Sequence, residues 1–312
     1  MSVNRSFSNT VPRIFILSLL IALSGFSAKM EAAITPQEGN QTRKLWDSEF
    51  FKSKGKPATG KTAAPRRRYR VATPQVPTEQ VNGDTVLGIT LWRLRPAKST
   101  DDKQVRLFKH AKDDTNVVEW TPERISVDTP LVIGQRVRLS VESARTGFLY
   151  VIDRELYADG TMGEPYLIFP TTRLRGGDNQ VTVGRIVDIP AQEDQPNYFK
   201  LDPDRADLVG EVISVLITPQ PLPNLKIVED AIQLSKDDVN RWEQQYGAQV
   251  GRLEMEGSAG KAWTKEEKEA SAVNGKQLKA ASPAPQTLYY RPDARTDDPL
   301  MVSVKLRYGK TR

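Results

Sequence analysis

From Val86 onward the chain alternates apolar and polar side chains with a period of two, the pattern of strands that bury one face. Val86, Gly88, Thr90 and Trp92 fall on one side of the first such strand, with Leu87, Ile89, Leu91 and Arg93 on the other. Gln135 to Glu142 is the cleanest case, apolar at Val137, Leu139 and Val141 and polar between, which predicts a half-buried strand. Phe148 to Ile152 is nearly continuous in apolar residues, as expected of a central strand covered on both faces. Tyr166–Phe169, Gln180–Val183, Ile186–Ile189, Tyr198–Leu201 and Val212–Ile217 read as further strands. Turn signals separate them, among them Thr146-Gly147, Asp159-Gly160, Gly176-Gly177-Asp178-Asn179 and Pro219-Gln220-Pro221. About eight short strands with a turn every 8–12 residues predict an all-β fold, an antiparallel β-sandwich of immunoglobulin-like architecture.

The period changes after residue 223. Ser235 precedes a stretch in which Val239, Trp242, Tyr246 and Val250 recur at helical spacing, so a capped helix with one apolar face is predicted. Thr264-Lys265-Glu266-Glu267 has the form of a capping box opening a shorter, charged helix. Leu300 to Tyr308 alternates again, and a strand this apolar should pair with the sandwich. Residues 224–299 are therefore expected to form a small helical insertion within one β-sandwich domain spanning 85–312.

The amino-terminal part differs in kind. Arg5 and Arg13 precede the apolar run Ile14 to Leu23, and small residues follow, which predicts a signal peptide over 1–27 cleaved after Ser27, with Ala33 as a second position. The run is about half the length needed to span a bilayer, so no transmembrane segment is expected after cleavage. Residues 28–84 lack sustained hydrophobic periodicity and are rich in Pro, Gly, Thr, Gln and Lys, the composition of a disordered basic arm. Its cluster Arg66, Arg67, Arg68 and Arg70 would give residues 43–70 an electrostatic foothold on an anionic surface. The formal charge of +6 resides here: 28–80 carries 11 basic and 5 acidic residues, whereas 81–312 carries 32 basic and 34 acidic. Nucleic acid is disfavoured as a partner by the export signal.

Composition narrows the chemistry. There is no Cys and a single His, His110, so thiol catalysis, Cys-ligated metals and any site needing two imidazoles are excluded. Gly55-Lys56-Pro57-Ala58-Thr59-Gly60-Lys61-Thr62 matches the phosphate-loop pattern, but no buried strand leads into it and Pro65 follows at once, so the match is read as chance. Asp202, Asp204 and Asp207 are close in sequence but lack the Gly and terminal Glu of a calcium loop, and neither metal nor cofactor is expected. Asp153, Glu155, Asp159 and Glu164 fall within one hairpin, where Asp153 and Asp159 are candidate functional acids. Arg173 and Arg175 sit in a Gly-containing loop after a buried strand, a position suited to carboxylate or phosphate recognition.

Gly147-Phe148-Leu149-Tyr150-Val151, then Asp159-Gly160, then Leu167-Ile168-Phe169-Pro170, and finally Gly210-Glu211-Val212 occur in an order that resembles the bacterial domain of unknown function 4384. The resemblance covers about 120–223 and implies an exported or membrane-associated β-rich module, with no catalytic residues to carry over. The resulting expectation is a non-catalytic binding or interaction module of the bacterial cell envelope, periplasmic or extracellular, with an envelope protein or polymer as partner. Two alternatives are a carboxylate-dependent hydrolase of envelope polymers and a structural tether acting through the basic arm.

Overall fold

The computed structural model describes residues 69–71, 86–109, 118–201, 205–247, 250–273, 275, 277–278, 282–291, 295 and 297–309. The leader 1–27, the Gly55–Thr62 segment, Arg66, Arg67, Arg68, His110 and residues 202–204 lie outside the described residues. Two mainly antiparallel sheets, one of nine strands and one of six, pack face to face. In chain order the strands are β1 (Tyr69–Val71), β2 (Val86–Pro96), β3 (Leu107–Lys109), β4 (Val118–Ile125), β5 (Arg136–Ser143), β6 (Gly147–Tyr157), β7 (Tyr166–Phe169) and β8 (Gln180–Val181). They continue with β9 (Ile186–Ile189), β10 (Phe199–Lys200), β11 (Leu208–Thr218), β12 (Ile232–Gln233), β13 (Gly251–Met255), β14 (Thr287–Tyr290) and β15 (Leu300–Arg307). The first sheet runs β1-β13-β14-β2-β4-β3, with β5 beside β2 and carrying β9 and β10. The second runs β12-β7-β6-β11-β15, with β8 beside β6.

The predicted alternation sets the inter-sheet core. Leu87, Ile89 and Leu91 of β2 and Val137, Leu139 and Val141 of β5 point inward against Leu149 and Val151 of β6, Val215 and Ile217 of β11, and Val302 and Val304 of β15. The terminal strand pairs with β11 from Gly210↔Arg307 to Ile217↔Leu300. Two glycines permit close strand contact here: a Cβ on Gly147 would lie 2.5 Å from the carbonyl oxygen of Thr218, and one on Gly210 would lie 2.1 Å from that of Leu306.

Helix α1 (Lys236–Tyr246) covers the outer face of the second sheet, where Val239 is buried with Tyr150 and Ile152 and where Trp242 and Tyr246 pack. Ser235 caps it as expected, but the helix ends at Gly247, so Val250 lies beyond the apolar stripe and packs against the inter-sheet core instead. Helix α2 (Lys265–Ser271) opens with the predicted capping box between Thr264 and Glu267.

Two expectations change. Residues 69–71 of the arm are not disordered: Arg70, exposed, pairs with Glu254 across β1 and β13 at the edge of the first sheet. Residues 224–299 are more than a helical insertion, because β13 and β14 belong to the first sheet and β12 to the second. The short runs GRLEM and TLYY carry little alternation of their own, and their strand state follows from docking of β14 on β2 and of β13 on β14.

The polar face of β5 is not in solvent either. Arg138 and Asp188 form a salt bridge at 3.0 Å with each side chain 2% exposed. Arg138 also donates to the carbonyl oxygen of Pro190 at 2.9 Å, while Ser140 donates to Asp188 and receives the Trp92 indole N–H at 2.6 Å. Trp263 covers this layer, with its ring 6.0 Å from Trp92 and the Arg138 guanidinium 5.1 Å above it. Arg124 stacks on Trp92, pairs with Glu267 of the capping box and donates to Ala284, which ties α2 to the sheet. The alternation of β5 therefore separates two buried environments, one apolar and one polar.

Breaking the buried pair leaves one charge without a counter-charge in a water-poor layer. Asp188→Ala is expected to lower unfolding free energy by about 3–5 kcal/mol, and the double replacement Arg138→Met with Asp188→Leu to recover most of that loss. Exposed Arg173→Ala should change it by less than about 0.5 kcal/mol. Urea unfolding of the three variants measures all of these.

Candidate functional site

The strand register carries the interior acids. On β6, Asp153, Glu155 and Tyr157 continue the inward-facing series of Leu149 and Val151, and Asp153 stands opposite Ile213 of β11. Glu211 occupies the next inward position of β11, opposite Glu155 on one side and Leu306 on the other. The inter-sheet core thus ends in a group of carboxyls on neighbouring strands.

Between that group and the first sheet lies a cavity of about 160 Å³. Its walls are mainly apolar, with Ile89, Leu139, Val151, Ile213, Phe199 and Val304 among them, and the charged residues Asp153, Glu211, Arg138 and Lys200 also line it. An apolar cavity of roughly this volume holds a benzene-sized group.

The carboxyls differ in how they are satisfied. The Tyr308 hydroxyl donates to Glu211 and the Tyr157 hydroxyl donates to Glu155. Oδ1 of Asp153 is buried and has no hydrogen-bond partner among the described residues. Burial, followed by the repulsion of Glu211 and Glu155, pushes the Asp153 carboxyl up to about 8, against a weaker opposing pull from Arg154. Burial likewise raises Glu211, and burial beside Glu211 raises the Tyr308 hydroxyl. Asp153 and Glu211, both raised and on neighbouring strands, therefore hold a proton to higher pH than ordinary carboxyls at the end of the chamber.

The other acids of the hairpin are elsewhere. Asp159 is exposed in the turn after β6, where Thr161 donates to it through its N–H at 2.8 Å and its hydroxyl at 2.7 Å, holding it below the usual carboxylate range. Glu164 is exposed and paired with Lys236 at 2.6 Å. Asp153 and Asp159 thus do not converge: at the rise of a strand they are separated by about 13 Å of chain up to Tyr157 before the turn begins. Arg173 forms exposed ion pairs with Glu229 at 3.1 Å and Asp230 at 3.6 Å. Arg175, in a left-handed backbone conformation with φ of 51°, buries its side chain beside Asp178 and donates its backbone N–H to Asp194 at 2.9 Å. These two arginines hold the loop together and do not face the cavity. Among the described residues no three acidic or imidazole side chains are grouped closely enough to hold a metal ion.

Glu211, Tyr308 and the cavity itself were missed by sequence reasoning about sites. Glu211 was visible only as part of the Gly210-Glu211 pair, and its chemical meaning depends on a pairing with β6 that local pattern does not specify. No family model, curated protein or solved structure matches this chain.

The raised acid makes a signed prediction. The unfolded chain ionises Asp153 near the ordinary Asp value and the folded chain only near 8, so folding is increasingly disfavoured as pH rises between those values, and the loss is complete above about 8. Asp153→Asn removes this linkage. It should match the parent within about 1 kcal/mol near pH 4 and exceed it by about 5 kcal/mol at pH 8.5, as read by urea unfolding across that range.

Proposed function

We propose that this chain is a non-catalytic binding module of the bacterial cell envelope whose ligand inserts an apolar group between the two sheets. The observation that carries the reading is the 160 Å³ apolar cavity ending in Asp153. Packed interiors rarely leave voids larger than a water molecule, so a space of this size between two well-formed sheets is an exception calling for an occupant. Export is supported by the arginine-flanked apolar run of the leader, and the order of the Gly147–Val151, Asp159-Gly160, Phe169-Pro170 and Gly210-Glu211 motifs supports kinship with domain of unknown function 4384. No helix among the described residues is long and apolar enough to cross a membrane.

The split of Asp153 from Asp159 weighs against a hydrolase built on those two acids. A second reading has an observation of its own: Arg70 is exposed on a strand at the sheet edge, which would anchor the basic cluster beside the domain as a tether to an anionic surface.

The binding reading is tested by ligand-detected NMR with 2-phenylethanol, a neutral aromatic that fits the cavity. Saturable binding is expected in the parent. Ile213→Phe, which extends a cavity wall into the space, should destabilise by no more than about 1 kcal/mol and lose that binding. Absence of saturable binding in the parent, or release of fragments from peptidoglycan that ceases in Asp159→Asn, would overturn the reading.

A further inference from the structure

Several buried acids are held by an arginine, while Glu254 is satisfied by Gln286 and Thr287 and Asp194 by backbone N–H groups. Asp188 holds Arg138, Glu267 holds Arg124, and the half-buried Glu123 and Asp101 share Arg95 at 2.9 and 2.7 Å. The cavity acids are met in a third way. Glu211 and Glu155 are met by tyrosine hydroxyls, and Asp153 keeps an oxygen without a partner.

The neighbouring cations are placed for other duties. Arg154, next in the chain to Asp153, points to the opposite face of β6, where it pairs with Glu243 of α1. That pairing is reinforced by Ser303, which donates to Glu243 at 2.9 Å. Arg138 contributes to the cavity wall, but its guanidinium is held by Asp188 and Pro190 on the far side of the first sheet. Lys200, at the β10 end of the wall, is exposed.

We infer that the cavity is a site for a small amphiphilic ammonium compound, an aromatic or aliphatic body of about benzene size inserted between the sheets with its cationic group against Asp153 and Glu211. This rests on the binding reading and deepens it by naming the ligand's charge. Three features converge on that chemistry: an apolar chamber for the body, an unpartnered acid oxygen at its end, and neighbouring carboxyls whose mutual repulsion a cation relieves. A carboxylate ligand would add a further negative charge to the group. A neutral ligand would fill the chamber and gain nothing from the charge of the carboxyls. On binding, the ammonium keeps its proton, Asp153 gives up its own, and that proton passes to the buffer.

The test uses the full chain and three probes of nearly equal shape: 2-phenylethylamine, 2-phenylethanol and phenylacetate. Calorimetric titration at pH 7 in two buffers of different ionisation enthalpy should show the amine binding at least tenfold more tightly than the alcohol, with proton release, and no binding of phenylacetate. Asp153→Asn should bring the amine to the level of the alcohol and abolish proton release, leaving the alcohol's affinity unchanged. Glu211→Gln, checked for folding by its thermal transition, should weaken the amine selectively as well. Equal binding of amine and alcohol by the parent, or amine binding without proton release, overturns the inference and leaves the binding reading intact. Failure of all three probes to bind overturns both.

Discussion

A charge removed from water must meet an opposite charge inside the protein or give up its ionisation, and that constraint organises both buried layers of this molecule. On the outer face of the first sheet Arg138 and Asp188 meet it by pairing. The Arg138 guanidinium lies against Asp188, the Pro190 carbonyl and the ring of Trp263. Asp188 is occupied in turn by Ser140, whose oxygen takes the Trp92 N–H. This network accompanies the burial of both faces of β5. The segment carrying Trp263 and α2 is held down by the same logic, through the Arg124 pair with a glutamate that also caps the helix.

Between the sheets the constraint is met differently. Among the described residues no arginine is paired with Asp153 or Glu211, which reach the apolar core from adjacent strands, and burial with mutual repulsion raises both carboxyls. One sheet thus buries charge as a finished ion pair, and the other holds an unfinished one beside an unfilled volume. The same physics that makes Arg138 and Asp188 structural makes Asp153 available.

Much of the architecture was legible in the chain because burial on a sheet writes a period of two into the sequence. Leu87, Ile89 and Leu91, then Val137, Leu139 and Val141, announced the inner faces, and the run from Phe148 to Ile152 announced a strand with cover on both sides, supplied by the inter-sheet core and by α1. Caps at Ser235 and Thr264 were readable for the same local reason. What was hidden depends on partners remote in sequence. The polar positions of β5 look like a solvent face, since alternation distinguishes two faces and not what covers them. Strands β13 and β14 are too short to declare themselves, and β4 carries Pro122 in its interior. That proline is tolerated because β3 ends its pairing at Trp120, before the missing N–H is needed. The candidate site was half legible: Asp153 was singled out, but beside Asp159, its neighbour in the hairpin, and not beside Glu211, its neighbour across the sheet.

The proton that Asp153 holds in the absence of a cation can be followed directly by carbon-13 NMR of aspartate side-chain carboxyls, with Asp153→Asn assigning the resonance. Asp153 is expected to titrate near 8 when free, and saturating 2-phenylethylamine is expected to move its midpoint well below 7. An Asp153 carboxyl that titrates near 4 in the free protein would contradict that expectation.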